Sequence, residues 1–502
     1  MSVILPAASV LLVRGREPDE VFLVRRSEQL SFFGGFWAFP GGKVAAEDSL
    51  LARGDDPCAV RRVTAARELL EETGVLLARR GDGSHLPAGP DVDHLRQELL
   101  AGRISFAEML ARHGLDIHAH DFSLIGHITT PEFVPARFDT TFFVCRMPPL
   151  QRAEVWPGEL AEGAWLSADA MLTRWERAEC LLSPPTAMTL QALRARPAEE
   201  AGAALAPLFT DFASGKLHPI FFAPAVQLVP LRTMALPPST HTNAYLVGTG
   251  PVYLIDPGPH DPPEQRRLFD LLDEQARLGR PLSAVLLTHH HPDHVGAATA
   301  CADRYGAPVW AHPVTAELLQ GKVPIRRHLH DGDRLDLGPA PDGNGRWHLE
   351  AIFTPGHAAG HLAFFEPRYR LLFVGDLVST LSSVIVAPPE GDLSLYLASL
   401  QRLREVPCRL LLPGHGNASS RSRQTIDECL RHRARREKQL LDALAQGERN
   451  VDDLAAELYR GLPEGLMRFA RLQVLGGLLK LQKEGRVAGG GPGPWRLQPA
   501  GV

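Results

Sequence analysis

The chain has 502 residues, enough for two to four domains of ordinary size. With 44% hydrophobic and 22% charged residues it is neither a largely disordered nor a fibrous chain. The formal net charge of -5 excludes a polybasic nucleic-acid binder or an acidic tail protein at the level of the whole chain.

Met1 to Val13 is apolar, but no basic segment precedes it, Pro6 interrupts it and Arg14-Gly15-Arg16 follows it. A first β-strand is expected there rather than a signal peptide. No stretch reaches the roughly 18 to 20 apolar residues that span a bilayer. The six cysteines, Cys58, Cys145, Cys180, Cys301, Cys408 and Cys429, contain no Cys-x-x-Cys pair. That spacing fits a reducing compartment, so a cytoplasmic location and no membrane partner are expected.

Three regions are expected: residues 1–219, 220–426 and 427–502. In the first, strands over Ala8 to Val13 and Val21 to Val24 flank a Gly- and Pro-rich loop, and the pattern predicts a helix over Val60 to Ala78. Helix is expected again over His94 to His113, strands over Ser123 to Thr129 and Thr140 to Cys145, and a last helical section ending near Gly215. In the predicted helix, Glu68, Glu71 and Glu72 of Arg67-Glu68-Leu69-Leu70-Glu71-Glu72-Thr73-Gly74 share a face at i,i+3 and i,i+4. Like charges so placed repel, and a divalent cation relieves the repulsion; oxygen-only ligands suit Mg2+ or Mn2+ bound together with substrate phosphates. Upstream, Phe39-Pro40-Gly41-Gly42 makes a tight turn whose backbone can approach a phosphate, and Gly74 is placed to cap the helix.

These motifs resemble the Nudix hydrolase box, over about Met1 to Pro197. The resemblance implies Glu68, Glu71 and Glu72 as metal ligands, with Glu71 and Glu72 catalytic, and hydrolysis of a diphosphate. Asp48 stands where the box carries glutamate, and Ser49 to Ala66 is longer than the family's spacing. A split box of this kind, with Thr130-Pro131 and Arg137-Phe138-Asp139-Thr140 downstream, is similar to the branch containing peroxisomal coenzyme A diphosphatases. Arg26-Ser27, Ser31, Gly35 and Phe39-Pro40-Gly41-Gly42 keep the register of its coenzyme A signature, with Ser31 in place of arginine and the leading Leu-Leu-Thr absent. Arg26, Gly41 and Gly42 are accordingly expected to contact substrate, Arg67 to form a structural ion pair, and Glu162 to be a weaker candidate for assisting catalysis.

His218 to Pro238 is rich in proline and apolar residues and marks a junction. Buried strands are then expected at Val252 to Ile255, Ala284 to Leu287, Pro308 to Ala311, Leu371 to Val374 and Arg409 to Leu412. Histidine, at 21 residues, is the composition's outlier, and Thr288-His289-His290-His291-Pro292-Asp293-His294 concentrates it directly after one of these strands. Alternate side chains of His-x-His can grip one metal while Asp293 and His294 turn to a second, and imidazole with carboxylate is the ligand set that suits zinc. Asp256, His357, Asp376 and His415 each follow another apolar run, so one sheet edge would collect them all.

This constellation resembles the metallo-β-lactamase superfamily, over about Ala225 to Ile426. The resemblance implies one metal on His289, His291 and His357, a second on Asp293, His294 and His415, and Asp376 bridging both. Two Zn2+ (or Fe or Mn) ions would activate a bridging hydroxide, with Asp293 orienting it or taking up its proton. Thr354-Pro355-Gly356-His357 and Pro413-Gly414-His415-Gly416 look like the motifs of the glyoxalase II-like branch, whereas His290 and His361 are not expected to bind metal directly.

In the third region a helix is expected from His432 to about Ala445, another from Val451 to Leu458 capped by Asn450, a third over Met467 to Glu484, and a hairpin pairing Gly485-Arg486-Val487 with Trp495-Arg496-Leu497. That order is similar to a winged helix, such as the one following the hydrolase domain in the branch containing a mitochondrial endoribonuclease. Arg421 to Val502 holds 15 Lys and Arg against 10 Asp and Glu, so against the chain's 53 and 58 the remainder is acidic.

The expectation is an α/β multidomain chain: a Nudix α/β/α sandwich, a metallo-β-lactamase αββα sandwich and a small winged-helix domain. The leading functional reading is a bifunctional metal-dependent hydrolase. Its small-molecule substrates would be a nucleoside diphosphate derivative, such as coenzyme A or acyl-coenzyme A, and a thioester or related ester. The alternatives are an RNA-processing endoribonuclease whose winged helix holds RNA, and a non-enzymatic sensor whose Nudix fold binds a nucleotide.

Overall fold

A computed structural model describes residues 3–15, 19–30, 33–52, 56–132, 134, 136–194, 196–213 and 215–498. The chain divides into two compact units, Met1–Gln227 and Leu228–Val502.

The first unit is built on a mixed sheet in the order Leu181–Leu182, Phe36–Ala38, Glu20–Arg26, Ile4–Arg14, Arg137–Arg146, Ser123–Thr129. Gly41–Lys43 and Leu160–Ser167 pair antiparallel with Ile4–Arg14 and Glu20–Arg26. The period-2 alternation of a strand divides its side chains between two cores. Val10, Leu12, Phe22 and Val24 pack with Leu69 and Leu70 on one face, and Leu11, Val13, Val21 and Leu23 with Leu172, Trp175 and Leu190 on the other. The result is the expected α/β/α sandwich.

The carboxylate-bearing helix runs Ala59–Thr73, shorter than the expected Val60 to Ala78. Gly74 takes the left-handed conformation at φ 73° and returns its N–H to Leu70 O, which ends the helix, and Val75 to Ala78 continue as buried chain. The stretch His94 to His113 is likewise two helices, Pro90–Leu100 and Phe106–Arg112, the second opened by a Ser105/Glu108 capping box. The terminal helical section consists of Ala168–Glu176, Pro184–Leu193 and Ala201–Ala213.

The second unit stacks two sheets. One includes Val226–Arg232, His241–Val247, Val252–Ile255, Leu282–Leu286, Val309–Ala311 and Ile325–His328, in that order. The other runs Arg334–Pro339, Arg346–Phe353, Leu362–Glu366, Leu371–Gly375, Leu410–Pro413. Tyr245 of the first meets Phe373 of the second edge-on at 5.0 Å between ring centroids. The helix Pro262–Arg277 packs on the first sheet, while Tyr396, Leu400 and Leu403 of Leu393–Arg404 cover Leu372 and Val374 of the second. This is the αββα arrangement, and its parallel strands bring their C-terminal loops to one edge.

The C-terminal helix expected from His432 begins ten residues earlier, at Ser422, and runs to Leu444. Its two ends serve different cores: Ile426 packs with the second sheet, and Leu440, Ala443 and Leu444 pack with Val451, Leu454, Val474 and Leu478. Val451–Leu458, capped by Asn450, and Glu464–Lys483 follow, and Val487–Ala488 pairs antiparallel with Arg496–Leu497 to complete a winged helix. Among the described residues no helix is long and apolar enough to cross a membrane.

Candidate metal centres

The histidine segment is anchored before it is functional. Asp256, at the end of Val252–Ile255, accepts hydrogen bonds from Thr288 N at 2.8 Å and Thr288 Oγ1 at 2.6 Å, and lies 2.9 Å from His294 Nδ1. Thus the strand end next door pins both ends of the turn that carries His289 and His291.

Two ligand groups result. His289 Nε2 and His357 Nε2 each lie 3.0 Å from His291 Nδ1, so three ring nitrogens converge on one point. Beside them, His415 Nε2 is 3.3 Å from Asp293 Oδ2, and His294 Nε2 is 3.9 Å from the same oxygen. Asp376 faces both groups: Oδ1 lies 3.3 Å from His294 Nε2 and 3.4 Å from His415 Nε2, and Oδ2 lies 3.8 Å from His357 Nε2. His294 Nε2 and Asp376 Oδ1 are fully buried without a hydrogen bond. Buried polar atoms are ordinarily satisfied, and a pair left unsatisfied between converging imidazoles fits a cation. A side chain at Gly414 would intrude here, since its Cβ would lie 2.7 Å from Asp376 Oδ1.

The remaining ring nitrogens are held from behind. His289 Nδ1 meets Thr288 Oγ1 at 2.9 Å, His357 Nδ1 meets Ile385 O at 2.7 Å, and His415 Nδ1 meets His241 O at 2.8 Å and Ser239 Oγ at 3.1 Å. Such contacts fix tautomer and ring orientation. His290 Nε2 lies 3.0 Å from Glu390 Oε2, which is also 3.8 Å from His291 Nε2. His361 Nδ1 meets Thr354 Oγ1 at 2.8 Å while its Nε2 has no hydrogen bond.

Charge differs between the groups. Burial and the neighbouring histidines hold His289 well below its ordinary pKa and lower His291 to about 3, which leaves neutral, electron-pair-donating rings. Burial opposes a charge on His415, yet Asp376 and Asp293 raise it to about 10. Burial likewise opposes ionisation of Asp376, and His415 and His294 outweigh it, keeping that carboxylate well below its ordinary value. The second group therefore favours positive charge.

In the first unit the carboxylates sit beside the Gly41–Lys43 strand. Arg67 is buried and donates from Nε and Nη2 to the two Asp48 oxygens at 2.9 and 3.0 Å, and from Nη1 to Glu68 at 2.9 Å and Glu71 at 3.1 Å. Glu72 Oε2 accepts from Gly41 N at 2.8 Å, and a Cβ at Gly42 would collide with the Glu68 carboxyl group. Burial pushes Glu68 up to about 7, and burial with the nearby Glu68 pushes Glu72 up to about 8; Glu71 is raised by burial as well. Carboxylates so disfavoured as anions fit a site completed by a cation. They do not close into one ligand cluster as the histidines do, because Arg67 lies between Glu68 and Glu71 and Glu72 turns to the Gly41 N–H. Arg26 ends its strand with a buried Nε that has no hydrogen bond, and its charge acts on Glu72. Glu162 pairs with Arg25 at 3.0 Å. Ser31 lies outside the described residues.

The supporting residues Ser239, Ile385 and Glu390 went unread in the sequence. Two act through contacts far along the chain, and Ile385 acts through a backbone carbonyl that any residue carries. The Pro355-Gly356 and Pro413-Gly414 turns gave the only signal that loops at this edge are tightly constrained.

Three family models match the chain: NUDIX domain over residues 4–98, Metallo-beta-lactamase superfamily over 238–415, and Beta-lactamase associated winged helix domain over 451–495. Among curated relatives, the lactamase-like protein vrtG of Penicillium aethiopicum is 31% identical over 50% of this chain and 79% of its own. The beta-lactamase-like protein 2 homolog of Caenorhabditis elegans is 29% identical over 49% of this chain and 80% of its own. Among solved structures, a NUDIX hydrolase from Alicyclobacillus acidocaldarius is 32% identical over 40% of this chain and 97% of its own, with a TM-score of 0.37.

Proposed function

We propose, for a chain that belongs to the metallo-β-lactamase superfamily and joins to it a Nudix domain and a winged-helix domain, that its two hydrolase centres act on two bonds of one substrate class, acyl-coenzyme A and related esters. The chain is a metal-dependent hydrolase of small molecules. The observation that supports a two-metal centre is Asp376, whose two oxygens face two separate ligand groups. On this reading His289, His291 and His357 would hold one zinc ion and Asp293, His294 and His415 a second, with Asp376 facing both sets. Bound there, such ions would supply Lewis acidity to a water and to the attacked carbonyl. Asp293, beside His415, would orient that water and take up its proton. Asp256, Thr288, His241 and Ile385 keep the rings aimed, so little reorganisation accompanies the reaction.

In the first unit, Glu68, Glu71 and Glu72 would hold Mg2+ or Mn2+ against a diphosphate, with Glu71 and Glu72 serving catalysis. Gly41 and Gly42 admit the phosphates closely, and Arg26 adds positive charge. Coenzyme A carries both a diphosphate and, when acylated, a thioester, which gives one ligand to both centres.

Substrate profiling of wild type beside Glu71→Gln and Asp376→Asn tests this. Glu71→Gln is expected to abolish diphosphate cleavage and Asp376→Asn thioester hydrolysis, each by more than the roughly 10- to 100-fold that loss of an outer-shell partner costs. Wild type inert towards coenzyme A, acyl-coenzyme A and ADP-ribose with Mn2+ would rule out the coenzyme A assignment. Salt-sensitive RNA binding together with RNA cleavage lost in Asp376→Asn would instead favour the RNA-processing alternative.

A further inference from the structure

His357 depends on one backbone carbonyl. Its Nδ1 meets Ile385 O at 2.7 Å, which places the proton on Nδ1 and leaves Nε2 to face His291. Among the described residues Ile385 makes no backbone hydrogen bond to a strand of the sheet. The two residues flanking it are held instead by the Glu464–Lys483 helix of the winged-helix module: Gln473 Nε2 donates to Val384 O at 3.0 Å, and Gln473 Oε1 accepts from Val386 N at 3.2 Å. One side-chain amide thus pairs with the backbone on both sides of Ile385, as a neighbouring strand would.

The amide's orientation is set in turn. Arg433 is buried, donates to Gln473 Oε1 at 3.2 Å and to Val384 O, and lies 5.0 Å above the Tyr396 ring, whose hydroxyl donates to Leu377 O beside Asp376. One turn along the same helix face, a Cβ on Gly476 would lie 3.1 Å from Val386 O, so the backbone passes close to the helix there. Further along the same segment, Asp392 pairs with Lys483 at 2.6 Å and donates its N–H to Gly356 O, next to His357, at 2.8 Å. Glu390, between them, is the residue that faces His291 Nε2. Segment 384–392 therefore touches two of the three ligands of the first group and is gripped by the C-terminal module along its length.

We propose that the winged-helix module is a positioning element of the histidine metal group, and that Gln473 is the residue through which it aims His357. The inference rests on the reading of His289, His291 and His357 as metal ligands. It gives the module a task at the metal that requires no nucleic acid.

The test is Co2+ titration of the metal-free full-length chain, read by the visible absorption of the bound ion, with Zn2+ competition for affinity. Gln473→Ala should weaken binding at the histidine group by about tenfold, the lower end of what outer-shell partners contribute, and shift the Co2+ spectrum. Gln473→Glu keeps the acceptor for Val386 N–H and loses the donor to Val384, so it should fall between wild type and Gln473→Ala. Should Gln473→Ala fail to fold, this second variant decides. Arg471→Ala, on the same helix but paired with Asp452, should match wild type. Folded Gln473 variants with wild-type affinity and spectrum, while His357→Ala loses the metal, would overturn this inference and leave the metal-centre reading standing. A wild-type chain that takes up no Co2+, or a His357→Ala variant that binds it unchanged, would overturn both.

Discussion

Asp48 shows how one residue can depart from a family's pattern and still do its work. It is 1% exposed, and besides two contacts from Arg67 it accepts from Thr64 Oγ1 and Ala45 N, each at 2.8 Å. The Ala45 N–H donates to the Asp48 carboxylate, which holds it against Arg67. Arg67 in turn is the only cation hydrogen-bonded to both Glu68 and Glu71 among the described residues, so Asp48 fixes the group that balances the carboxylate face. Asp48→Asn leaves a buried guanidinium against an amide, and breaking a buried pair in this way costs about 3 to 5 kcal/mol. Chemical unfolding should register that loss, and Asp48→Glu, which keeps the charge, should cost less. Equal stability of Asp48→Asn and wild type would mean that Arg67 is neutralised by the glutamates alone.

Among elements, sequence periodicity is most telling where a short apolar run makes a regular strand. Strands read from short apolar runs end at Ile255, Leu286, Gly375 and Pro413, and a candidate ligand or its anchor follows each within a few residues. It overran the helix end, where the cap expected at Gly74 is present: the left-handed φ there stops the helix, and Val75 to Ala78 continue outside it. It also missed contacts whose partners are 28, 100 and 176 residues apart, the Ile385, Glu390 and Ser239 supports, because periodicity speaks only of neighbours. The hairpin Leu362–Glu366/Leu371–Gly375 holds another such feature. Glu366 is fully buried and accepts from Arg368 N and Tyr369 N at 2.9 and 2.7 Å, and burial pushes its pKa from 4.5 up to about 7. Its folded pKa lies above the unfolded one, so its contribution to stability is complete below pH 4.5 and fades as pH rises through 7. At 1.4 kcal/mol per unit, that contribution is on the order of 3 kcal/mol. Unfolding of wild type and Glu366→Gln at pH 5 and pH 8 should show the variant's relative stability improving by that order at the higher pH. A difference independent of pH would place the titration elsewhere.

In the whole molecule, two candidate metal centres with different donor chemistry occupy separate compact units. The centre in the first unit offers carboxylate oxygens on one helix face; that in the second offers imidazole nitrogens with two aspartates. Oxygen-only donors suit Mg2+, which keeps several waters and shares its coordination with phosphate, whereas imidazole-rich donors bind zinc far more strongly than magnesium. Chelation should therefore silence both activities, and the return of metals should separate them. Mg2+ added to the metal-free chain is expected to restore diphosphate cleavage and leave ester hydrolysis at background; stoichiometric Zn2+ is expected to do the reverse. The C-terminal module belongs to the second half of this contrast, since its Gln473 and Arg433 grip the backbone behind His357. Gln473→Ala should accordingly raise the Zn2+ concentration at which ester hydrolysis returns and leave the Mg2+ dependence of diphosphate cleavage where it was. Restoration of both activities by Mg2+ alone would show that the imidazole group is not the ester-hydrolysing centre.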